Sequence, residues 1–297
     1  MNKASTLSKT TQVRLLRGFI LLAALSVVFL YGVGVGVYQW PPFSFVKDAK
    51  QAIARGFATT NKSVSSTAPS AAAYQVTTYR QSYFKLNSSG SLEEKSGLPF
   101  RSEDMYRFER TINPSATAVV VMDPWVDMVS THLNEFYGQI TKSRIMPLVK
   151  KALERGHPII VLTNDPDKVD YNTNIYPELA AIASNSYSGS YKEKIDVLYH
   201  QDYDDESFAA YLRSNGISTL IYTGFASNMC VIGRRMGMIP MSHHGFQLFF
   251  VPEASAAVEY KDTWDKQTIH HATTEIISQW IAEIIDYDVF MHATNTK

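Results

Sequence analysis

Cysteine is almost absent from this sequence, because Cys230 is the only one among 297 residues. An intrachain disulfide is therefore excluded, and a free thiol says nothing about the redox compartment. Net charge is absent too, since 28 basic side chains balance 28 acidic ones. A neutral chain gives no reason to expect nucleic acid as a partner.

The sequence also lacks the usual signs of a nucleotide or metal cofactor. DPWVDM stands after the first predicted strand of the main domain (residues 123–128), where a nucleotide-binding α/β domain has a glycine-rich turn. A hard metal at Asp165 and Asp167 would need further ligands that the sequence does not supply. The adjacent histidine pairs 243–244 and 270–271 point in different directions on a helix and are interpreted as surface or core residues. We expect no metal and no cofactor.

Long apolar runs are missing except for one. Residues 18–38 carry no charge, and a helix of that length spans about 30 Å, which is the thickness of a bilayer core. A basic segment (residues 1–17) precedes the run, and Trp40 follows it as an interfacial anchor. The sequence therefore predicts one transmembrane helix over residues 18–40, uncleaved, in a single-pass membrane protein whose domain lies on the non-cytoplasmic side.

Residues 41–114 separate this helix from the main domain. The part from 59 to 73 is rich in Ser, Thr and Ala, which is typical of a solvated linker. Residues 74–114 have a mixed, polar composition, and we interpret them as an extension that leads into the main domain. A hairpin is one structure that this extension could form. The main domain is predicted to cover residues 115–297.

Within that domain, short buried strands alternate with helices. Apolar runs at 116–123, 157–165, 195–201, 218–224 and 246–253 are typical of strands in a parallel sheet. Helical stretches at 133–155, 206–215 and 229–244 each end at a glycine. The pattern predicts a doubly wound, mainly parallel α/β sheet of five or six strands with helices on both faces, whose sites form at the carboxyl ends of the strands.

Two residues at those strand ends have complementary chemistry. A helix N-terminus and a nearby base both favour the thiolate, and Cys230 stands where a helix is predicted to begin. Backbone N–H groups around Cys230 are candidates to hold an oxyanion. Asp123, at the end of a neighbouring strand, is positioned to accept the thiol proton and return it to a leaving amine. This chemistry is acyl transfer to cysteine followed by hydrolysis.

Four motifs in order resemble the isochorismatase-like cysteine hydrolases, a family that includes nicotinamidases. They are MDPWVDM (122–128), NIYPELA (174–180), YTGFASNMCV (222–231) and FFVPEASAAVE (249–259). The resemblance covers roughly residues 115–285. It implies a cysteine nucleophile at Cys230 and a catalytic aspartate at Asp123.

The resemblance also implies a lysine just after the third strand, and here the sequence has His200 instead. His200 either substitutes as a cation beside Asp123 and Cys230 or is an ordinary polar residue at a strand end. Relatives hold a cis peptide a few residues before the cysteine, which here corresponds to Phe225–Ala226, and these two residues join the predicted substrate-binding set. Trp125 and Arg234 complete that set, the first because it follows Asp123 by two residues and the second as a partner for a substrate carboxylate. The alternatives are a packing role for Trp125 and a solvated helix charge for Arg234.

Three functions remain open from the sequence. The first is a membrane-anchored cysteine hydrolase acting on a small amide or related C–N substrate. The second is a catalytically inactive domain that binds a ligand or partner, and the third is the nucleotide-binding domain. The expected partners are a small-molecule substrate and the membrane, and homo-oligomerisation stays open.

Overall fold

The computed structural model describes residues 72–81, 84–86, 92–94, 105–126, 130–186 and 195–295. The predicted basic segment, the transmembrane helix over 18–40 and the linker up to residue 71 lie outside these ranges. None of the helices within the ranges has the length and apolar character needed to cross a membrane.

Eight strands form one sheet in the order β4-β1-β10-β9-β8-β5-β6-β7, and β2 and β3 form a separate antiparallel pair. The strands are β1 (Tyr74–Arg80), β2 (Phe84–Leu86), β3 (Leu92–Glu94), β4 (Tyr106–Ile112), β5 (Thr117–Met122), β6 (Ile159–Thr163), β7 (Ile195–Tyr199), β8 (Thr219–Phe225), β9 (Gln247–Ala256) and β10 (Glu283–Ile284). The six strands from β10 to β7 are parallel to their neighbours, while β1 pairs antiparallel with both β10 and β4. The predicted mainly parallel α/β sheet is confirmed.

The helices connect these strands. They are α1 (Thr131–Ile140), α2 (Met146–Arg155), α3 (Pro177–Ser186), α4 (Asp205–Ser214), α5 (Met238–His243), α6 (Thr268–Ile276) and α7 (Tyr287–His292). A π-helical turn, Thr141–Ile145, joins α1 to α2, so the helix predicted over 133–155 is continuous with one irregular turn. Two more π-helical turns, Ser227–Val231 and Ile277–Ile281, follow β8 and α6, and 3₁₀ turns lie at Pro114–Ala116 and Pro166–Lys168.

The central strands are buried on both faces because their sequences are apolar at nearly every position. All six residues of β5 (TAVVVM) and all five of β6 (IIVLT) are buried. Val119 and Val121 face a core that includes residues of α1 and α2, whereas Val120 and Met122 face a second core built with α4 and α5. This alternation places helices on both faces of the sheet, as predicted.

The sheet begins at Tyr74 instead of residue 115. β1 and β4 both come from the segment that the sequence analysis assigned to a polar extension, and they pair along seven residues. Tyr74 is fully buried, its hydroxyl lies 2.9 Å from His157 Nε2, and the Arg155 guanidinium stacks 4.4 Å above its ring. The extension is therefore packed into the same core as the parallel strands.

The helix predicted over residues 229–244 is broken in two. The chain turns at Ser227–Val231, leaves helical geometry after Gly233, and resumes as α5 at Met238. Pro240 explains the break, because in a continuous helix its missing N–H would cost a hydrogen bond and its ring would meet the preceding turn, whereas the first turn of a new helix tolerates proline. The break leaves a short turn around Cys230 instead of a long helix.

Candidate active site

The carboxyl ends of four adjacent parallel strands contribute the polar side chains of one cluster. Asp123 follows β5, Asn164 follows β6, His200 follows β7, and Cys230 lies in the π-helical turn after β8. Since β8, β5, β6 and β7 are neighbours in the sheet, these residues share one edge. Arg234 joins them from the chain just after that turn.

Asp123 occupies an unusual backbone position. Its φ is 42°, in the left-handed region that favours glycine, asparagine and aspartate. The turn is closed by the Trp125 amide donating to the Asp123 carbonyl at 2.8 Å, and an antiparallel bridge between Trp125 and Ile175 ties it to the NIYPELA segment. The side chain is 2% exposed. The backbone therefore directs a buried carboxylate toward the strand ends.

Two basic side chains flank the Asp123 carboxylate, one at each oxygen. His200 Nε2 donates to Oδ1 at 3.0 Å, and the His200 side chain is 8% exposed. Arg234 Nε lies 3.5 Å from Oδ2, which is buried and accepts no hydrogen bond from the described residues. His200 thus contacts Asp123, which fits the first of the two alternatives that the sequence left open, while its catalytic role stays a prediction.

Cys230 contacts the same guanidinium. Arg234 Nε donates to Cys230 Sγ at 3.2 Å. Burial of the thiol and, after it, the neighbouring Asp123 carboxylate raise the pKa of Cys230 to about 11, and Arg234 opposes this rise. The helix predicted to begin near Cys230 is a five-residue π-helical turn, and the expected effect of a helix N-terminus on the thiolate stays a prediction. The resting pair is therefore a thiol beside a carboxylate.

The turn that carries Cys230 is fixed by side chains on both sides. His270 Nε2 lies 3.1 Å from the Pro252 carbonyl, which only accepts, so this nitrogen carries the proton. The Ser227 hydroxyl then donates to His270 Nδ1 at 2.9 Å. On the other side, Asn228 Oδ1 accepts from the Val258 amide at 3.0 Å. His270 is thus a core histidine, in agreement with its sequence interpretation.

This arrangement predicts a loss of stability in mild acid. Burial lowers the pKa of His270 to about 4, below the ordinary value near 6.5. As the pH falls from 6.5 to 4, the unfolded chain gains a proton that the folded chain does not, so the free energy of unfolding decreases by about 3 kcal/mol. Urea unfolding at pH 7 and pH 4 measures this, with His270→Gln as the control that lacks the titrating ring. Equal pH dependence in both proteins would contradict the prediction.

A polar network surrounds the cluster and was not predicted from the sequence. Asn164 Oδ1 accepts from Arg234 Nη1 at 3.0 Å and from Gln201 Nε2 at 3.1 Å, and Asn164 Nδ2 donates to the Tyr171 hydroxyl at 2.9 Å. The signal was present, because Asn164 follows the buried strand β6 and Gln201 lies two residues after β7. Short amide side chains are common there, however, and their partners are distant in sequence.

The predicted substrate-binding residues have different environments. Trp125 is partly exposed, donates from Nε1 to Thr163 Oγ1 at 2.8 Å, and meets Tyr171 edge-on at 6.0 Å. Phe225 is 1% exposed and stacks on Tyr137 at 4.1 Å, so its side chain lies in the core. The Phe225–Ala226 peptide bond is cis, as the resemblance implies, and Ala226 is 7% exposed.

Asp165, which follows β6, and Asp202, which follows β7, are both paired with one lysine. Lys168 Nζ lies 3.2 Å from Asp165 and 2.8 Å from Asp202. Across the described residues, no group of three or more His, Cys, Asp or Glu is arranged to hold a metal ion.

Comparison with known proteins gives three findings. The family model described as the isochorismatase domain matches residues 117–286, which is more than half of the chain. No curated protein sequence matches. Among solved structures, similar ones include a cysteine hydrolase from Pseudomonas syringae pv. phaseolicola 1448A, with 19% identity, 60% of this chain and 92% of that chain covered, and a TM-score of 0.42. A nicotinamidase from Staphylococcus aureus has 15% identity, covers 57% and 97%, and has a TM-score of 0.43. An isochorismatase from Pseudomonas putida KT2440 has 18% identity, covers 59% and 89%, and has a TM-score of 0.43.

Proposed function

Because the chain belongs to the isochorismatase family, we propose that it is a hydrolase that uses the Cys230 thiol as a nucleophile on a small amide or related C–N substrate. The observation that carries the proposal is that Cys230 and Asp123 share one charge partner, Arg234 Nε, at 3.2 and 3.5 Å. A thiol and a carboxylate held this way form the nucleophile and base pair that acyl transfer requires.

The resting protonation states define the first step. The raised pKa of Cys230 keeps the thiol protonated at neutral pH, so a proton transfer from the sulfur must precede the attack on the substrate. Asp123 accepts that proton and leaves a thiolate, whose sulfur then bonds to the carbonyl carbon as the C=O electron pair moves onto oxygen. Backbone N–H groups of the Cys230 turn are the candidates to hold this oxyanion.

The remaining steps return the site to its starting state. The tetrahedral intermediate collapses, the C–N bond breaks, and Asp123 gives its proton to the leaving nitrogen. Water then attacks the thioester with Asp123 again as the base, which releases a carboxylic acid and restores the thiol. No step requires a cofactor, because each transfer is a proton or an acyl group.

Ammonia release from a panel of small carboxamides and ureides tests this proposal. We expect at least one compound to be hydrolysed by the purified chain, with one ammonia per bond broken.

The rival function, an inactive binding domain, is favoured by one feature, the absence of a lysine after β7, where His200 stands. Saturable binding of panel compounds without product would support that rival and contradict the hydrolase.

We also propose that residues 18–40 anchor the domain in a membrane, with the domain on the non-cytoplasmic side. The support is the uncharged run at 18–38, the basic residues before it and Trp40 after it. Protease added to cells with a permeabilised outer layer is expected to degrade the domain. Protection that persists until the inner bilayer is broken would show that the domain lies on the cytoplasmic side. If the membranes are sedimented by centrifugation and the chain stays in the supernatant, the proposed anchor is contradicted.

A further inference from the structure

Arg234 contacts both reacting groups, Cys230 and Asp123, and a hydrogen bond to Asn164 holds it in place. It follows Cys230 by four residues, its Nε donates to Sγ at 3.2 Å, and the same Nε lies 3.5 Å from Asp123 Oδ2. Its Nη1 donates to Asn164 Oδ1 at 3.0 Å, and Gln201 holds that oxygen from the other side. The guanidinium is therefore fixed between the sulfur and the carboxylate.

We infer that Arg234 is a catalytic residue, the permanent cation that stays paired with the negative charge as that charge moves from Asp123 to Cys230. The inference rests on the proposed function. When the proton moves from Sγ to Asp123, the carboxylate loses its charge and the sulfur gains one. Because Arg234 Nε faces both atoms, the charge has the same partner before and after the transfer. Arginine keeps its own charge at any working pH, so this pairing does not titrate.

Among the residues that the structure describes, the other side chains near the Cys230 thiol are not permanent cations in contact with the sulfur. Asp123 approaches from the end of β5, and Tyr137 approaches from α1. Burial and then the nearby Cys230 raise the pKa of Tyr137, so its hydroxyl stays neutral, and Glu259 acts on it in the same direction. His200 contacts the far oxygen of Asp123. Within the described part of the chain, Arg234 is the permanent cation in contact with the sulfur.

The same contacts change the role that the sequence suggested for Arg234. A substrate carboxylate would need the guanidinium fork, whereas Nε is directed at Sγ and Nη1 at Asn164. Arg234 thus lies where it acts on the nucleophile. It also supplies, from the turn after β8, a cation that the chain lacks immediately after β7, where His200 stands.

The lone cysteine allows a direct test that needs no substrate. The rate at which iodoacetamide alkylates Cys230 is measured from pH 6 to 11, and the displacement of the rate profile along the pH axis reports the change in the thiol pKa between variants. Arg234→Gln is expected to raise this pKa, and a thiol pKa higher by about one slows alkylation at pH 9 by about tenfold. Arg234→Lys keeps the charge and is expected to stay within about threefold of the wild type.

Two further variants sharpen the comparison. Arg235→Gln makes the same charge change one residue later, at an exposed position, and is expected to alkylate like the wild type. Asp123→Asn removes the neighbouring negative charge and is expected to speed alkylation, opposite to Arg234→Gln. An unmoved profile in Arg234→Gln, or an equal change in Arg235→Gln, overturns the inference.

The design separates this inference from the proposed function. A displaced profile in Arg234→Gln with no turnover of any panel compound would reject the hydrolase and leave Arg234 as the charge partner of the thiol. If Arg234→Gln shows no cooperative melting, it is not folded, and the alkylation profile of Arg234→Lys then tests the inference. A profile within about half a pH unit of the wild type then supports the inference, and a larger displacement despite the retained charge overturns it.

Discussion

Cys230→Ala is expected to abolish hydrolysis of every compound that the wild-type chain turns over. The acyl group then has no sulfur to bond, and no second cysteine exists to replace it. The fold is expected to survive, because the side chain is only partly buried and alanine removes a single atom from it. Activity assays are paired with thermal melting, where we expect a change of no more than a few degrees.

Trapping the acyl intermediate strengthens this test. Mass spectrometry of acid-quenched wild-type protein is expected to show one adduct per chain during turnover and none in Cys230→Ala. Cys230→Ser is the matched control, since it puts a hydroxyl of similar size in place of the thiol. A serine hydroxyl is far harder to ionise, so we expect this variant to be folded and inactive as well. Turnover retained in Cys230→Ala would end the hydrolase interpretation.

Asp123→Asn is expected to reduce turnover by about 10²–10⁴-fold, the usual contribution of a positioned general base. Asparagine suits this position because it tolerates the left-handed backbone that Asp123 adopts, with φ at 42°, and it has nearly the same size. The amide oxygen still accepts from His200, but it does not take the thiol proton. The loss should therefore appear in kcat with little change in stability.

Asp165→Asn provides the matched control for that variant. Asp165 also follows a buried parallel strand, and Lys168 neutralises it at 3.2 Å, away from the thiol. The same chemical change there is expected to leave turnover within about threefold of the wild type, as for most surface substitutions. An Asp123→Asn enzyme as fast as Asp165→Asn would exclude Asp123 as the proton acceptor.

The central strands and three residues at their carboxyl ends were predictable from the sequence. Continuous apolar runs such as β5 and β6 have one stable placement, buried on both faces of a parallel sheet. Once neighbouring strands are parallel, their carboxyl ends share an edge, so Asp123, His200 and Cys230 had to lie near one another. Apolar pattern and strand topology alone place these three side chains at one edge of the sheet.

The outer strands of the sheet and the remaining residues of the site depend on contacts that no local sequence pattern encodes. β10 has two residues, and β1 and β4 have exposed faces, so none of them shows a continuous apolar run. Arg234 was assigned to substrate binding, although its spacing of four from Cys230 already placed both on one face of a helical turn. Whether its guanidinium turns toward the sulfur depends on Asn164, which the chain brings in from a different strand.

The position of β1 between β4 and β10 also determines the order in which the sheet is completed. Thr78 in β1 donates to Glu283 in β10 across 205 residues of chain, and Tyr74 packs edge-on against Phe290. A chain made from its N-terminus has β1 early and β10 late, so β1 has only β4 as a sheet neighbour while the parallel strands are being synthesised. Pairings of such large sequence separation form slowly, and an unpaired strand edge is exposed in the meantime. Translation must therefore pass residue 284 before β1 acquires its second neighbour, and until then this edge depends on chaperones or on folding speed for protection.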